Sequence, residues 1–146
     1  MPRIVHPIAG LIALATIATF WISTAISELF LSGAAVVAVK TAIPWGFVLL
    51  VPAMAATAGS GLFLAQGRRG GLIGAKRRRM PFIAANGLLI LIPAALFLAA
   101  RARAGVFDTP FYAVQGIELI AGAVNIVLLG LGMRDGLRLT RKRRLS

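Results

Sequence analysis

The sequence predicts an all-α integral membrane protein, an antiparallel up-down bundle of four transmembrane helices. Three observations lead to this fold class. The 146 residues are 59% hydrophobic, with a mean hydropathy of +0.89, which is too apolar for a soluble domain of this length. Charged residues make up only 14% of the chain and cluster between long apolar stretches. Four of these stretches reach the ~20 residues that a helix needs to cross the hydrocarbon of a bilayer.

The four predicted spans are defined by their apolar length and by the prolines and caps at their ends. They cover residues 7–30, 42–66, 81–100 and 111–133. The apolar stretch of the first is longer than the core of a signal peptide, so we expect a retained helix. Pro81 suits the first turn of the third span, and Pro93 is expected to kink it. Asp108 or Thr109 caps the fourth span just before Pro110.

A length of 146 residues predicts a single domain, and the short connections between the spans favour the up-down bundle. Residues 31–41 are mostly apolar and are expected to lie at the membrane interface. Residues 67–80 form a glycine-rich basic loop, and residues 134–146 form a basic tail that we expect on the cytoplasmic side. The sequence contains no internal repeat and no long linker.

The basic residues predict the orientation of the bundle. All but three of the 16 lysines and arginines fall on the side that holds both termini and the 67–80 loop, and the exceptions are Lys40, Arg101 and Arg103. By the positive-inside rule, both termini are then cytoplasmic, in the inner membrane of a bacterium. A net charge of +12 would suggest a nucleic-acid partner for a soluble protein. Basic residues at the ends of apolar stretches favour anionic lipid headgroups instead.

A polar stripe runs along one face of the fourth span. Its members recur at spacings of three and four residues and are Gln115, Glu118, Gly122, Asn125, Leu129 and Gly132. Glu118 stands out, because an ionisable group deep in a membrane is costly and faces protein or a water-filled cavity. Two interpretations stay open. The stripe is either interhelical glue or the lining of a polar pocket or proton-accessible site.

Two further polar residues belong with this stripe. By its depth in the third span, Asn86 could bond across to Asn125. Glu28 lies at the far end of the first span, where we expect it to meet lipid headgroups or Lys40.

His6 is the single histidine of the chain and precedes the first long apolar stretch. Four interpretations compete: a membrane-boundary residue, a proton-handling group, a ligand of a transition metal and an axial ligand of haem b. A metal site is poorly supported, because the chain has no cysteine and no second histidine. Haem needs only one or two protein ligands and apolar walls between helices. The other residues predicted for a haem site are Gly10 beside the porphyrin, Met80 or Met133 as second ligand, and Arg77, Arg78 and Arg79 at the propionates.

Four stretches of the sequence carry a resemblance to known proteins: HPIAGLIALATIATFWISTAISELF, KTAIPWG, KRRRMPFIAANG and FYAVQGIELIAGAVN…MRDG. Over nearly its whole length the chain resembles a family of small bacterial inner-membrane proteins described as transmembrane or transporter-like. It is similar more loosely to four-helix membrane cytochromes of the b561 type, which hold haem b through several histidines and pass electrons. That similarity implies a haem ligand only at His6, because this chain has no other histidine.

The sequence also argues against several function classes. Without cysteine there is no disulfide, thiolate metal site or cysteine nucleophile. The stretch RRGGLIGAKRRR lacks the order of a phosphate-binding loop, and a lone histidine gives no hydrolase signature. We therefore expect a homodimeric haem-b-binding inner-membrane protein acting in electron transfer or haem handling. The alternatives are a small oligomeric transporter or channel subunit that uses the Gln115, Glu118 and Asn125 face, and an accessory subunit of another membrane protein.

Overall fold

Every regular element in the described part of the chain is helical. This part comprises residues 2–64, 66 and 71–145 of a computed structural model. The elements are α1 (Pro2–Phe30), α2 (Gly33–Leu64), α3 (Gly71–Asn86), a π-helical segment (Gly87–Leu91), α4 (Ile92–Arg103) and α5 (Thr109–Leu145). Within these residues four helices are long and apolar enough to cross a membrane: Arg3–Phe30, Gly33–Leu64, Arg78–Arg103 and Thr109–Lys142. The predicted all-helical class with four such helices is confirmed.

Helix α2 begins earlier than the sequence analysis predicts. The segment 31–41 was expected to be an interfacial connection, but α2 already starts at Gly33. The Ser32 hydroxyl accepts a hydrogen bond from the Ala35 amide at 3.4 Å and so caps the start of the helix. The prediction is therefore wrong for most of that segment. As a consequence, Lys40 lies about two turns inside α2 and is buried.

The two prolines of the third span also occupy unexpected places. Pro81 lies inside α3 instead of at its start, because this helix already begins at Gly71. Pro93 lies in the first turn of α4, directly after the π-helical segment. Pro93 has no N–H to donate to the preceding turn. The sequence analysis predicts a kink at this proline, and the irregularity found there is the π-helical segment.

The turn before α5 is fixed by Asp108. One of its carboxylate oxygens accepts a hydrogen bond from the Phe111 amide at 3.2 Å, and the other pairs with Arg101 Nη1 at 2.8 Å. This is the N-terminal cap that the sequence predicts before Pro110. Helix α5 then continues to Leu145, so the predicted basic tail is helical up to that residue.

The helices pack around two buried apolar clusters. Helices α1 and α2 are in contact along much of their length, α4 packs against α2 and α5, and α1 also contacts α5. One cluster is built from Val36, Leu98, Ala102 and Phe111, and the other from Ile17, Ile83 and Leu129. Along α5, the position of Glu118 falls between the two clusters.

Two glycines let aromatic rings pack directly against the backbone of a neighbouring helix. A methyl group on Gly46 of α2 would overlap the ring of Phe20, which belongs to α1. On Gly122 of α5, it would come within 2.9 Å of Trp21 Cδ1. The indole of Trp21 donates a hydrogen bond to the carbonyl of Leu119 at 2.8 Å. These contacts hold α1 close to both α2 and α5.

Replacing Gly46 with alanine should destabilise the protein, because the new methyl group has to displace the Phe20 ring. Overpacking of this kind costs about 1–3 kcal/mol. Gly59→Ala is the matched control on the same helix, since open space surrounds Gly59 and alanine only improves helix propensity there. Thermal unfolding of both detergent-purified variants, followed by circular dichroism, measures the difference. Equal midpoints would contradict the close packing at Gly46.

Candidate functional site

A cluster of polar side chains joins α1, α2 and α5 inside the bundle. Its members are Thr24 and Glu28 from α1, Lys40 from α2, and Gln115 and Glu118 from α5. Gln115 and Glu118 belong to the predicted stripe on α5. The cluster therefore contains Glu118, the acid that the sequence analysis predicts to lie within the membrane, together with groups from two other helices.

The centre of the cluster is an ion pair between Lys40 and Glu118. The distance from Lys40 Nζ to Glu118 Oε2 is 2.6 Å, and the two side chains are 1% and 12% exposed. Lys40 Nζ also donates a hydrogen bond to Thr24 Oγ1 at 3.4 Å, and Gln115 Nε2 donates one to the same Glu118 oxygen at 3.1 Å. A single carboxylate oxygen thus receives two donors from two helices.

Two oxygens of the cluster have no hydrogen-bond partner among the described residues. They are Glu28 Oε1 and Gln115 Oε1, and both atoms are buried. The Gln115 side chain is only 4% exposed. Its amide nitrogen is already committed to Glu118, so its oxygen is an acceptor without a donor. Buried polar atoms are normally paired, so each such exception calls for an explanation.

Glu28 is the third ionisable group of the cluster, beside Lys40 and Glu118. Glu28 lies close enough to feel the charges of both Lys40 and Glu118. When all three groups are ionised, two carboxylates share one ammonium group. Among the described residues the ion-pair partner of Lys40 is Glu118, and the expectation that Glu28 meets lipid headgroups or Lys40 stays a prediction.

A cavity of about 50 Å³ lies beside the ion pair. Its walls are almost entirely apolar and it is partly open to the outside; Thr24 and Glu118 are among the residues that line it. The lining residues are Ile17, Phe20, Trp21, Thr24, Ile43, Phe47, Leu50, Leu91, Ala95, Glu118, Leu119 and Gly122. The rings of Phe20 and Phe47 meet edge to face, with centroids 6.3 Å apart. Space of this size admits several water molecules or a small organic group.

Asn86 and Asn125 form the second polar contact of the stripe. Asn86 Nδ2 donates to Asn125 Oδ1 at 2.9 Å and to the carbonyl of Ala121 at 2.8 Å. Asn125 Nδ2 donates to the carbonyl of Ile83 at 3.4 Å. The predicted bond between the two asparagines is confirmed. Because both amides are used across helices, this pair fits the interpretation as interhelical glue.

His6 packs against the second half of α2. Its Nδ1 lies 3.0 Å from the carbonyl oxygen of Thr57 and 3.1 Å from Ser60 Oγ. Gly61 leaves the room that the ring occupies, since a methyl group there would lie 3.0 Å from His6 Cε1. Thr57 packs opposite Gly10, where the sequence analysis expects a porphyrin face. The sequence gives no sign of these partners, because they come from another helix.

The remaining residues of the predicted haem site differ in their surroundings. Met80 and Met133 are half-buried, Arg78 is exposed, and the side chain of Arg77 lies outside the described residues. Arg79 already has a carboxylate partner in Asp135. In the described ranges, no group of three or more His, Cys, Asp or Glu side chains could hold a metal ion.

Asp135 connects α3 to the end of α5 that is predicted to face the cytoplasm. Asp135 is fully buried, and its Oδ2 lies 2.7 Å from Arg79 Nη1. Its other oxygen lies 3.3 Å from Arg134 Nη2. Sequence analysis missed this pair, because it assigns Arg79 to propionates or lipid headgroups and gives Asp135 no role.

Comparison of the chain with protein-family models, with curated proteins and with solved structures gives no match. The resemblance to small bacterial inner-membrane proteins, and the looser similarity to cytochromes of the b561 type, therefore stay predictions from the quoted stretches. What the protein does has to follow from the chemistry of its own side chains.

Neutralising one partner of the central ion pair should destabilise the protein more than neutralising both. Lys40→Met leaves the Glu118 carboxylate buried without its cation, and breaking a buried pair in this way costs about 3–5 kcal/mol. Adding Glu118→Gln removes that charge while keeping an acceptor for Gln115, so it should recover most of the loss. A double-mutant cycle of unfolding free energies measures the coupling. Strictly additive losses would show that the two groups do not interact.

Proposed function

We propose that this chain is a multi-pass protein of the bacterial inner membrane that works, as a homo-oligomer, as a small cation-dependent transporter or channel subunit. Its four apolar helices form an antiparallel bundle with both termini in the cytoplasm. The observation that carries the proposal is the buried Lys40–Glu118 pair at 2.6 Å, set in two of the apolar helices. Ionisable groups at such positions mark ion pathways and proton relays in membrane proteins.

The cluster fits a transport site better than it fits interhelical glue. Glue groups satisfy one another, as Asn86 and Asn125 do. In contrast, Glu28 and Gln115 each keep a buried oxygen without a partner among the described residues. A buried polar network with unpaired atoms destabilises a bundle. Its presence therefore supports a role in the transient binding of an ion or ligand.

Two carboxylates and one ammonium group give the cluster two arrangements of comparable charge pairing. In the observed arrangement, Lys40 pairs with Glu118. When a proton or another cation occupies the Glu118 carboxylate, Lys40 is left to pair with Glu28 in the same cluster. The first arrangement pairs α2 with α5 and bonds it more weakly to Thr24 of α1, whereas the second pairs α2 with α1. An occupant of Glu118 therefore shifts the helices between two states by its differential affinity for them.

An oligomer is part of this proposal because a single bundle encloses little space. The cavity beside Glu118 measures about 50 Å³, well below the size of most ligand pockets. Many large apolar side chains remain exposed, among them Trp45, Val48 and Leu89. They suit contact with lipid tails or with a second copy. The basic residues at the cytoplasmic ends suit anionic lipid headgroups.

Glu118→Gln should abolish cation flux through the reconstituted protein, because it removes the charge that attracts and holds the cation. We expect liposomes containing the wild-type protein to dissipate an imposed proton or monovalent-cation gradient faster than protein-free liposomes. An entrapped pH-sensitive dye reports the flux under a potassium diffusion potential. Because Glu118→Gln leaves Lys40 buried without its counter-charge, the double variant Lys40→Met/Glu118→Gln is reconstituted beside it, and circular dichroism checks that both variants are folded.

Asp108→Asn is the matched control for this experiment. Its carboxylate also pairs with a basic residue, Arg101, but its side chain is 41% exposed and outside the cluster. It should leave the flux unchanged. Wild-type flux equal to that of protein-free liposomes, or undiminished flux in folded Glu118→Gln, would rule out the proposed role of Glu118.

A second candidate function is the binding of haem b through His6, and one observation favours it. His6 Nδ1 lies 3.0 Å from the Thr57 carbonyl, a contact that fixes the orientation of the ring. Histidines that ligate a metal commonly use one ring nitrogen in this way and the other for the metal. Bound haem would supply one-electron chemistry at the end of the α1–α2 pair that contains His6.

The haem candidate predicts a coloured protein. Purified protein from cells supplied with haem should show a Soret band and, after reduction with dithionite, the sharp visible bands of a b-type haem. His6→Ala should lose or shift these bands, because the iron loses its axial ligand. Phe82→Ala, at an exposed residue of α3, serves as the control. A colourless wild-type protein would remove this candidate and leave the transport proposal untouched.

A further inference from the structure

We infer that the polar cluster binds one proton, which is held by Glu28 in the observed arrangement and moves to Glu118 when Lys40 turns to Glu28. This inference rests on the proposed function and names both the transported cation and the residue that receives it. Glu28 lies in the last turn of α1 and is half-buried, whereas Lys40 and Glu118 lie deeper in their helices. Glu28 is therefore the ionisable group of the cluster nearest to the end of the bundle where α1 joins α2.

The ammonium group of Lys40 pairs with only one of the two acids. Its Nζ lies 2.6 Å from Glu118 Oε2, and no ion pair joins Glu28 to a basic side chain among the described residues. In the same part of the chain, Glu28 Oε1 is buried and has no hydrogen-bond partner. A buried acid without a counter-charge takes up a proton instead of remaining ionised. Glu28 is thus the acid that the observed arrangement leaves to be neutralised.

Lys40 and Glu118 are the two charged groups that neighbouring helices bring within electrostatic range of Glu28. Helices α2 and α5 are the elements that pack against α1. Lys40 is the one charged residue of α2, and Glu118 is the one charged residue of α5 between Thr109 and Met133. The protonation of Glu28 therefore depends on which of the two acids Lys40 pairs with.

The carboxamide of Gln115 gives independent support for a bound proton. The side chain is 4% exposed, and its nitrogen donates a hydrogen bond to Glu118 at 3.1 Å. Its buried oxygen has no donor among the described residues. A protonated carboxyl group is a donor as well as an acceptor. Proton uptake by Glu28 therefore adds an O–H group to a cluster that contains two acceptors without donors.

A proton suits this cluster better than a metal cation does. It binds to a single oxygen and needs no cavity, whereas calcium or magnesium needs about six oxygen ligands at once. The two oxygens without partners belong to different helices, Glu28 Oε1 to α1 and Gln115 Oε1 to α5. The described ranges contain no group of three or more His, Cys, Asp or Glu side chains that could hold a metal ion.

The transfer step keeps the charge of the cluster constant. The O–H bond of Glu28 breaks, and a new O–H bond forms on the carboxylate of Glu118. The ammonium group of Lys40 keeps its protons and exchanges Glu118 for Glu28 as its partner. Each of the two states contains one ion pair and one neutral acid, so neither leaves a buried charge without compensation.

Infrared spectroscopy of the protein in ether-lipid vesicles tests the inference, because a protonated carboxyl group absorbs at a different frequency from a carboxylate. The chain has only four acidic side chains, and the glutamates among them are Glu28 and Glu118. At neutral pH, the wild-type protein should show one protonated carboxyl band that shifts when its glutamate is isotopically labelled. Asp108→Asn is the matched control and should leave this band unchanged.

Variants of the cluster assign the band to Glu28. Glu28→Gln should abolish it, because the protonated acid is gone. Glu118→Gln should abolish it as well, because Lys40 then turns to Glu28, which ionises. Lys40→Met should about double the band, since both acids are then buried without a counter-charge. Lys40→Met/Glu118→Gln should restore a single band from Glu28, and circular dichroism checks that each variant is folded.

Glu28→Gln should also reduce proton flux in the liposome assay to the level of protein-free liposomes, because the proton loses the group that receives it. The same entrapped dye reports this flux. Asp108→Asn again serves as the control and should keep the wild-type rate.

Several results would overturn the inference. One is the absence of a label-sensitive carboxyl band in folded wild-type protein. Others are a band that survives Glu28→Gln and a band that folded Glu118→Gln leaves unchanged. Should Glu118→Gln abolish cation flux while no glutamate is protonated, the transport proposal stands and only the proton site is wrong. Should the band follow the expected pattern while the wild-type protein shows no flux, the proton site stands and the transport proposal fails.

Discussion

The contact between Lys40 and Glu118 is the constraint on which the arrangement of the helices depends. Two charges cannot be left in apolar surroundings unless each has a partner at hydrogen-bonding distance. Meeting this condition fixes the rotation of α2 and α5 about their axes and their relative heights. Thr24 adds α1 to the same contact. The aromatic packing of Phe20 and Trp21 beside the pair then follows, because glycines face both rings.

Helix α5 is held to α2 and α3 at three levels, by two ion pairs and one contact between amides. Glu118 binds Lys40 of α2, Asn125 binds Asn86 of α3, and Asp135 binds Arg79 of α3. Between helices surrounded by lipid there is little hydrophobic driving force, so such polar contacts and close packing determine which faces meet. Among the residues that the structure describes, only the first of the three levels combines a buried charge with unpaired oxygens. That difference separates the candidate site from the two structural contacts.

The sequence predicts features that follow from the pattern of residues along one helix. It misses contacts that depend on where one helix lies along another. Apolar length gives the four helices, the spacing of three and four residues gives the inward face of α5, and the depth of Asn86 in its span gives the Asn86–Asn125 bond. The cap at Asp108 is also predictable, because its signal is local. The partner of Glu118 is not, since it depends on where α2 begins. Hydropathy extends the preceding connection past Lys40, whereas the weaker signal of the Ser32 cap starts the helix before it.

The π-helical segment at Gly87–Leu91 changes the direction in which the later side chains of the third span point. It adds one residue to a turn, and so rotates everything that follows it. Ile83 and Asn86 before it, and Leu98 and Ala102 after it, are thereby all turned towards neighbouring helices. The number of residues between these positions therefore matters more than their identity. Deleting one would turn α4 by about 100° and expose its buried face, whereas substitutions of equal length along this exposed stretch leave the geometry of the bundle in place.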